Sequence, residues 1–230
     1  MRTLTMSTSL NIDNFVDISK IFHQRQFHNK TVLELLGTNL TEFILDILKQ
    51  HGVTDQPVIK GKVHPSAILE GPVYVSEDAE IGPTAYIKGP CWIGSEAEIR
   101  HGAFIRGSVY VGPKAVVGHT TEAKGSIFFD KAKAGHFAYV GDSILGYDVN
   151  LGAGTKLANL KMKGKEVKVI DPNTDQQIAT GLRKFGAVLG DSAQTGCNAV
   201  LSPGTLLLPK TGVYPCVHYI GTLKKGFIKS

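Results

Sequence analysis

From Val63 to Val117 an aliphatic residue stands at every sixth position: Val63, Leu69, Val75, Ile81, Ile87, Ile93, Ile99, Ile105, Val111 and Val117. Four residues after each comes a small one, in the series Ala67, Val73, Ala79, Ala85, Cys91, Ala97, Ala103, Val109, Ala115 and Thr121. With Val, Ile and Leu at about a quarter of the chain, ten such hits in a row arise by chance roughly once in a million. A period of six fits neither the helix nor the simple strand. It fits a repeat in which each hexad is one short strand and one turn, stacked as a β-solenoid. Three hexads would close a triangular coil, with Gly71-Pro72, Gly82-Pro83, Gly89-Pro90 and Gly112-Pro113 at corners where a tight turn needs an unusual or fixed φ. About seven coils spaced ~4.8 Å apart would make a prism roughly 33 Å long. The expected fold class is all-β, a parallel β-helix with a short α-helical N-terminal extension.

The pattern divides the chain into three. Residues 1–56 lack the hexads. Asp13 to Phe22 and Thr41 to Gln50 carry helical spacing instead, the second with Asn39 as N-cap and Gly52 as stop. Helices this short need a surface to pack on. The end of the solenoid, its first coil or a neighbouring subunit would provide one. Residues 57–216 hold the solenoid, which resumes in a shifted register at Leu145, Leu151 and Leu157, and again at Leu189, Thr195, Leu201 and Leu207. Between these blocks, 161–186 reads as a projecting hairpin: Glu166–Ile170 and Gln177–Thr180 flank the turn-rich Asp171-Pro172-Asn173-Thr174-Asp175. Residues 217–230 read as a short basic tail.

Composition removes several classes of function. A hydrophobic fraction of 42% argues against disorder, and no apolar run reaches the length of a membrane span. The first fifteen residues contain no apolar h-region, so no secretory leader is expected and the default location is the cytoplasm. Cys91, Cys197 and Cys216 form no paired framework, and Cys91 fills a small-residue slot of the repeat, as a buried thiol would. The net charge of +5 suits phosphorylated small molecules. Its Lys and Arg residues are dispersed, without the aromatic-interleaved patch of a nucleic-acid binder.

The densest chemistry lies where the repeat changes register, in GHFAYVGD (135–142) and DVNLGAGT (148–155). Local rule-breaking of this kind is where function is expected. His136 there could serve as a general base beside a polar pocket.

GHFAYVGDS followed by VNLGAGT resembles the acetyltransferase domain of the bifunctional glucosamine-1-phosphate N-acetyltransferase / N-acetylglucosamine-1-phosphate uridylyltransferase family, and more closely its archaeal sugar-1-phosphate nucleotidylyltransferase branch. The similarity runs from about Gly71 to Pro215. It implies the left hand of the hexapeptide-repeat β-helix, a homotrimer with sites between subunits, and acetyl-CoA as co-substrate for an amino-sugar phosphate. It places the catalytic base at His136, with Glu122 to orient it. Substrate contacts fall on Arg106, Lys124, Tyr139, Asn150, Lys165 and Lys168, with Arg106 and Lys124 on the phosphate. Ala153 and Asn159 fall beside the cofactor. From the residues themselves, glycine lets the main chain approach closely, so a backbone N–H near Gly152–Gly154 is a candidate to bind the thioester oxyanion. No metal is implied. The family's large nucleotidylyltransferase domain, with its Gly-rich nucleotide loop, has no counterpart in residues 1–56, so uridylyl transfer is not expected. Asp191 and Pro215 replace small residues that face acetyl-CoA in the bacterial members.

The chemistry suits those residue types. An imidazole can take the proton an amine loses on attacking a thioester, and Arg and Lys offer charge-assisted donors to phosphate. Three rivals differ in class. A γ-carbonic-anhydrase-like metal enzyme would use stacked histidines, and His101 and His119 are 18 apart, but the closer H-x4-H pair of that class is missing. A long-chain acyltransferase would lack the Arg106/Lys124/Tyr139/Asn150 set. A non-catalytic trimer could retain the pocket to bind a sugar phosphate or nucleotide sugar.

Overall fold

A computed structural model describes residues 8–229. The hexads form a three-sided parallel β-helix, one short strand per side and per coil. The first face has nine strands, from Val58–Ile59 to Thr222–Leu223. The second has nine, from Lys62–Val63 to Phe227–Ile228, and the third eight, from Ile68–Glu70 to His218–Tyr219. Strand pairing therefore carries the solenoid past the seven coils expected and through residue 228. The segment read as a basic tail contributes a strand to each of the three faces, because Leu201 pairs with Tyr219, Leu206 with Thr222 and Val213 with Ile228.

The aliphatic series and its small partners point inward and make one continuous core, from Val73 to Leu223. Cys91 is wholly buried there, which pushes its thiol pKa up, as its slot in the repeat implies.

The register shift has a local cause. Val73 pairs with Cys91 and Ile105 with Ala123, steps of 18 residues. Val109 then pairs with Ser126, and Ile127 with Ile144, steps of 17. The missing residue lies at the corner between the third and first faces: Arg106-Gly107-Ser108 precedes Val109, but only Lys124-Gly125 precedes Ser126. Asp142 follows at the same corner with φ of 45°, and its carboxylate fills the place where a side chain on Gly125 would go.

A second core lies outside the prism. On the first face the outward residues are apolar as well: Tyr74, Trp92, Tyr110, Ile127, Ile144, Val188 and Leu206, all buried. The N-terminal segment covers them along the length of the face, rather than capping an end. Tyr74 and Trp92 stack with centroids 4.5 Å apart, and Phe27 packs its edge on Tyr110 and Phe129. His23 Nδ1 meets the Tyr110 hydroxyl at 2.8 Å.

Within this segment the helix expected over Thr41–Gln50 spans Thr38–Gln50 and follows Gly37, which offers no side-chain cap. The helix expected over Asp13–Phe22 does not form. Two 3-10 turns, Ile12–Asn14 and Ile18–Lys20, replace it, with Asn11 and Asp17 side chains accepting from Asp13 N and Ser19 N. Asn and Asp that bond to nearby backbone break a helix in this way.

The 161–186 insertion is a hairpin, Lys168–Ile170 antiparallel to Gln177–Ala179, but it does not project. Val167, Val169 and Phe185 are buried in the same outer core, and Thr222 Oγ1 donates to Ile170 O at 2.6 Å. Alternation in its strands leaves one apolar side, and the first face is where that side can be buried.

Asp191, expected near the cofactor, clamps the N-terminal segment instead. Its carboxylate accepts from Asp17 N and Tyr147 N, and its own N–H donates to Phe15 O. Burial raises its pKa.

Candidate active site on the third face

Strands Phe104–Arg106, Glu122–Lys124 and Tyr139–Gly141 lie side by side on the third face, with Lys156–Leu157 next. Register sets Phe104, Glu122, Tyr139 and Lys156 in one outward row, and Arg106, Lys124 and Gly141 follow two residues along each strand. Residues two apart share a face of a sheet, so these seven positions form one surface.

At one edge of that surface stand histidines. The corner between the second and third faces carries His101, His119 and His136 on successive coils. His119 is the register partner of His136, and the His101 and His119 rings stack at 5.2 Å, as their spacing implies. His119 and His136 meet edge to face, with Nδ1 atoms 3.2 Å apart. His119 is half-buried and His136 exposed. The approach depends on Gly118, which precedes His119: a Cβ there would collide with the backbone of Gly135, the residue before His136.

Ala153 follows His136 at the same corner, since Gly154 N donates to His136 O, and Cys197 follows Ala153, since Asn198 N donates to Ala153 O. Gly152 N and Gly154 N are both engaged in hydrogen bonds between or within coils. Of the backbone donors expected to bind an oxyanion, Ala153 N is the one these bonds leave over. Among the described residues, no group of three or more His, Cys, Asp and Glu is arranged to hold a metal ion.

At the other edge the charges gather. Arg106 Nη1 donates to Glu122 Oε1 at 2.6 Å, and Lys124 Nζ to Asp142 Oδ1 at 2.8 Å. The buried Asn159 donates to the second oxygen of Asp142. Tyr139 reaches the same group: a Cβ on Gly141 would sit 2.7 Å from Tyr139 Oη and 2.8 Å from Asn159 Nδ2. Burial, then the carboxylates of Glu122 and Asp142, hold the Tyr139 phenol above its ordinary pKa. Beside them opens a cavity of about 560 Å³, the size of a small-molecule site. Arg106 and Lys124 line it on the prism side. Thr38 and Thr41 close it from the N-terminal helix, and Arg183 and Lys184 from the end of the insertion. Thr41 Oγ1 lies 2.7 Å from Ser108 Oγ across its floor.

The structure thus brings together Arg106, Glu122, Lys124, Tyr139 and Asn159, and sets His136 and Ala153 at the adjoining corner. Glu122 lies against Arg106, and the ring partner of His136 is His119. Asn159 stands with the substrate-side residues rather than beside Ala153. Asn150 is exposed on the second face, between Lys133 and Gln194. Lys165 and Lys168 are exposed on the insertion and do not line the cavity, whereas Arg183 and Lys184 do. A basic pair placed just before the hexads resume was the available signal for those two. A larger groove, about 750 Å³, runs between residues 13–28 and Asp191 at a different corner and shares no residue with this site.

Fold and site together define a hexapeptide-repeat β-helix with a histidine corner and a cationic cavity bounding one face. Residues 87–178 match the GMPPB C-terminal domain, a span that contains every site residue inferred from the sequence. Over 84 residues the chain is 43% identical to a bifunctional sugar-1-phosphate nucleotidylyltransferase/acetyltransferase of Sulfurisphaera tokodaii, a match covering 36% of this chain and 20% of that protein. Over 146 residues it is 38% identical to the bifunctional protein GlmU of Methanococcus aeolicus, covering 64% of this chain and 35% of the relative. The chain therefore spans about a third or less of the length of these relatives, and its resemblance to the family lies in the β-helix. Among solved structures it is similar to PerB of Caulobacter crescentus, in complex with CoA and GDP-perosamine. The TM-score is 0.28 at 15% identity, over 75% of this chain and 57% of that one, a likeness that says nothing of chemistry. No helix among the described residues is long and apolar enough to cross a membrane.

Proposed function

We propose that this chain is an acetyl-CoA-dependent N-acetyltransferase acting on an amino-sugar phosphate, as a cytoplasmic homotrimer with each site between neighbouring copies. One observation carries the reading: a histidine corner and a cationic cavity bound the same prism face, with Glu122 and Tyr139 between them. A sugar lying across that face would have its amine toward His136 and its phosphate in the cavity.

Phosphate would engage Arg106, Lys124, Arg183 and Lys184. Two of these are matched by Glu122 and Asp142, so the local excess is two positive charges, fitting a phosphate dianion. Glu122 holds the Arg106 fork in place. Tyr139 is the group on this face for the sugar hydroxyls and amine, and Asn150, on the second face, would reach a sugar from a neighbouring copy. As the amine attacks the thioester carbonyl, His136 Nε2 takes its proton and Ala153 N–H donates to the oxyanion. The N–C bond forms, the C–S bond breaks, and the departing thiolate takes the proton from His136, so that CoA leaves as its thiol and the base is regenerated. A base so placed contributes about 10²–10⁴-fold.

The test is thiol release from acetyl-CoA with several amino sugars and their 1-phosphates, for native protein and His136→Ala. Release that requires the phosphate and His136 supports the reading. Binding of a sugar phosphate without release would make the protein a non-catalytic binder. Release that depends on added zinc would turn the assignment toward a metal enzyme.

A further inference from the structure

Beyond the base itself, we propose that His119 is a positioning residue that fixes the tautomer of His136 and supports its charge during proton transfer. This inference rests on the reading of His136 as a base.

The argument is geometric. The Nδ1 atoms of the two rings face each other at 3.2 Å, so one proton lies between them and one ring must accept. Among the described residues, His136 Nε2 has no protein hydrogen-bond partner, which leaves it to face an incoming amine. For Nε2 to act as a base, the proton of His136 must sit on Nδ1 and be donated to His119 Nδ1. His119 then carries its own proton on Nε2. Once His136 has taken the proton of the amine it is an imidazolium, with an N–H at both nitrogens. Its Nδ1–H then points at the lone pair of His119 Nδ1. The same contact therefore selects the reactive tautomer before proton transfer and stabilises the cation after it.

Other groups at the corner fit an acceptor role for His119. Its ring is fixed by stacking on His101 at 5.2 Å and by the edge of Phe137 at 5.8 Å, so it cannot turn away cheaply. Glu122 is held by Arg106, and Glu98 by Arg100 at 2.8 Å, so neither carboxylate is paired with the His136 ring. The backbones beneath the pair come together at Gly118 and Gly135, where a side chain on Gly118 would force them apart.

The decisive measurement is long-range ¹⁵N NMR of histidine-labelled protein above the imidazole titration range, with His136 assigned by its loss in His136→Gln. His136 should carry its proton on Nδ1 in the native protein and on Nε2 in His119→Leu, the form an unconstrained imidazole prefers. In the thiol-release assay His119→Leu should lower kcat about tenfold, the worth of one such hydrogen bond, and leave KM within about twofold. His119→Asp, an acceptor without a donor, should restore both the tautomer and kcat. A native His136 protonated on Nε2, or one unchanged by His119→Leu, overturns the proposal. The NMR result stands whether or not acetyl transfer is observed, so failure of the wider reading is seen separately as native protein that releases no thiol.

Discussion

The first and third faces of the prism share one backbone, one coil spacing and one inner core, yet they have opposite fates. On the first face the outward positions read Tyr74, Trp92, Tyr110, Ile127, Ile144, and all are buried beneath residues 8–56 and the 161–186 hairpin. On the third the corresponding outward positions read Tyr86, Phe104, Glu122, Tyr139, Lys156, and they remain open beside His136 and the cationic cavity. Inward residues decide that a coil forms. Outward residues, which the coil leaves free, decide what each face does. Covering one face within the chain also builds the site on the other, because the helix and insertion lying on the first face supply Thr38, Thr41, Arg183 and Lys184 at the shared corner.

The sharpest way to separate the faces is a pair of substitutions. His136→Ala should cut thiol release by about 10²–10⁴-fold while leaving the melting temperature unchanged, since the ring is exposed. Trp92→Ala should do the reverse. It removes a fully buried indole packed on Tyr74, His51 and His23, at about 3–5 kcal/mol of stability by chemical denaturation. Comparable unfolding free energies for Trp92→Ala and native protein would show that the outer core is not a core at all.

How much of this was legible beforehand follows the same division. Ten regular hexads left little freedom in the fold, because a period of six allows one architecture. The pairing partners of Val73, Ile105 and Ile87 follow directly from an 18-residue step. The covered face was equally present as Tyr74, Trp92 and Tyr110, spaced by 18 and all aromatic, but that signal appears only when coils are compared face by face. The 3-10 turns at 12–20 were hidden because apolar spacing resembled a helix while Asn11 and Asp17 drew the backbone away from one. At the site, Lys124, Tyr139 and His136 follow the last regular hexad, and Arg106 lies just before the end of the regular run. Arg183 and Lys184 are a basic pair at the end of the 161–186 interruption, but that they fold back onto the cavity is set by the path of the hairpin, which no local pattern encodes.

Those two residues give the next test. Replacing Arg183 and Lys184 together with Ala should raise KM for a phosphorylated acceptor about tenfold or more and leave that for the unphosphorylated sugar unchanged. Each is a charge-assisted contact worth about 1.5–3 kcal/mol before solvent screening, and the positions are exposed enough to lose part of that. An equal rise for both acceptors would mean that the insertion shapes the cavity without reading the phosphate.

The smallest expected effect lies under the covered face, where two buried groups titrate against each other. Burial, and then the neighbouring His51, lower the pKa of His23 to about 4. The unfolded chain therefore takes up this proton near 6.5 and the folded one does not, so stability falls as pH drops from 6.5 toward 4. Burial raises Asp130 to about 6, against backbone donors at Phe22 and Asp130 itself, and its Oδ2 has no partner. Here the folded chain takes the proton first, so stability rises as pH drops from about 6 toward the ordinary carboxylate range. His51, lowered by burial, adds to the first trend, and Asp191, raised by burial, adds to the second. The native protein should thus show a nearly flat melting temperature from pH 6 to pH 4. Asp130→Asn removes the buried charge, so it should be more stable than native protein at pH 7, and its advantage should shrink steadily toward pH 4. Melting curves of the two proteins at pH 7, 6, 5 and 4 read this directly. A constant gap between them would place Asp130 in contact with solvent, and with it the edge of the cover that Phe22 and His23 lay over the first face.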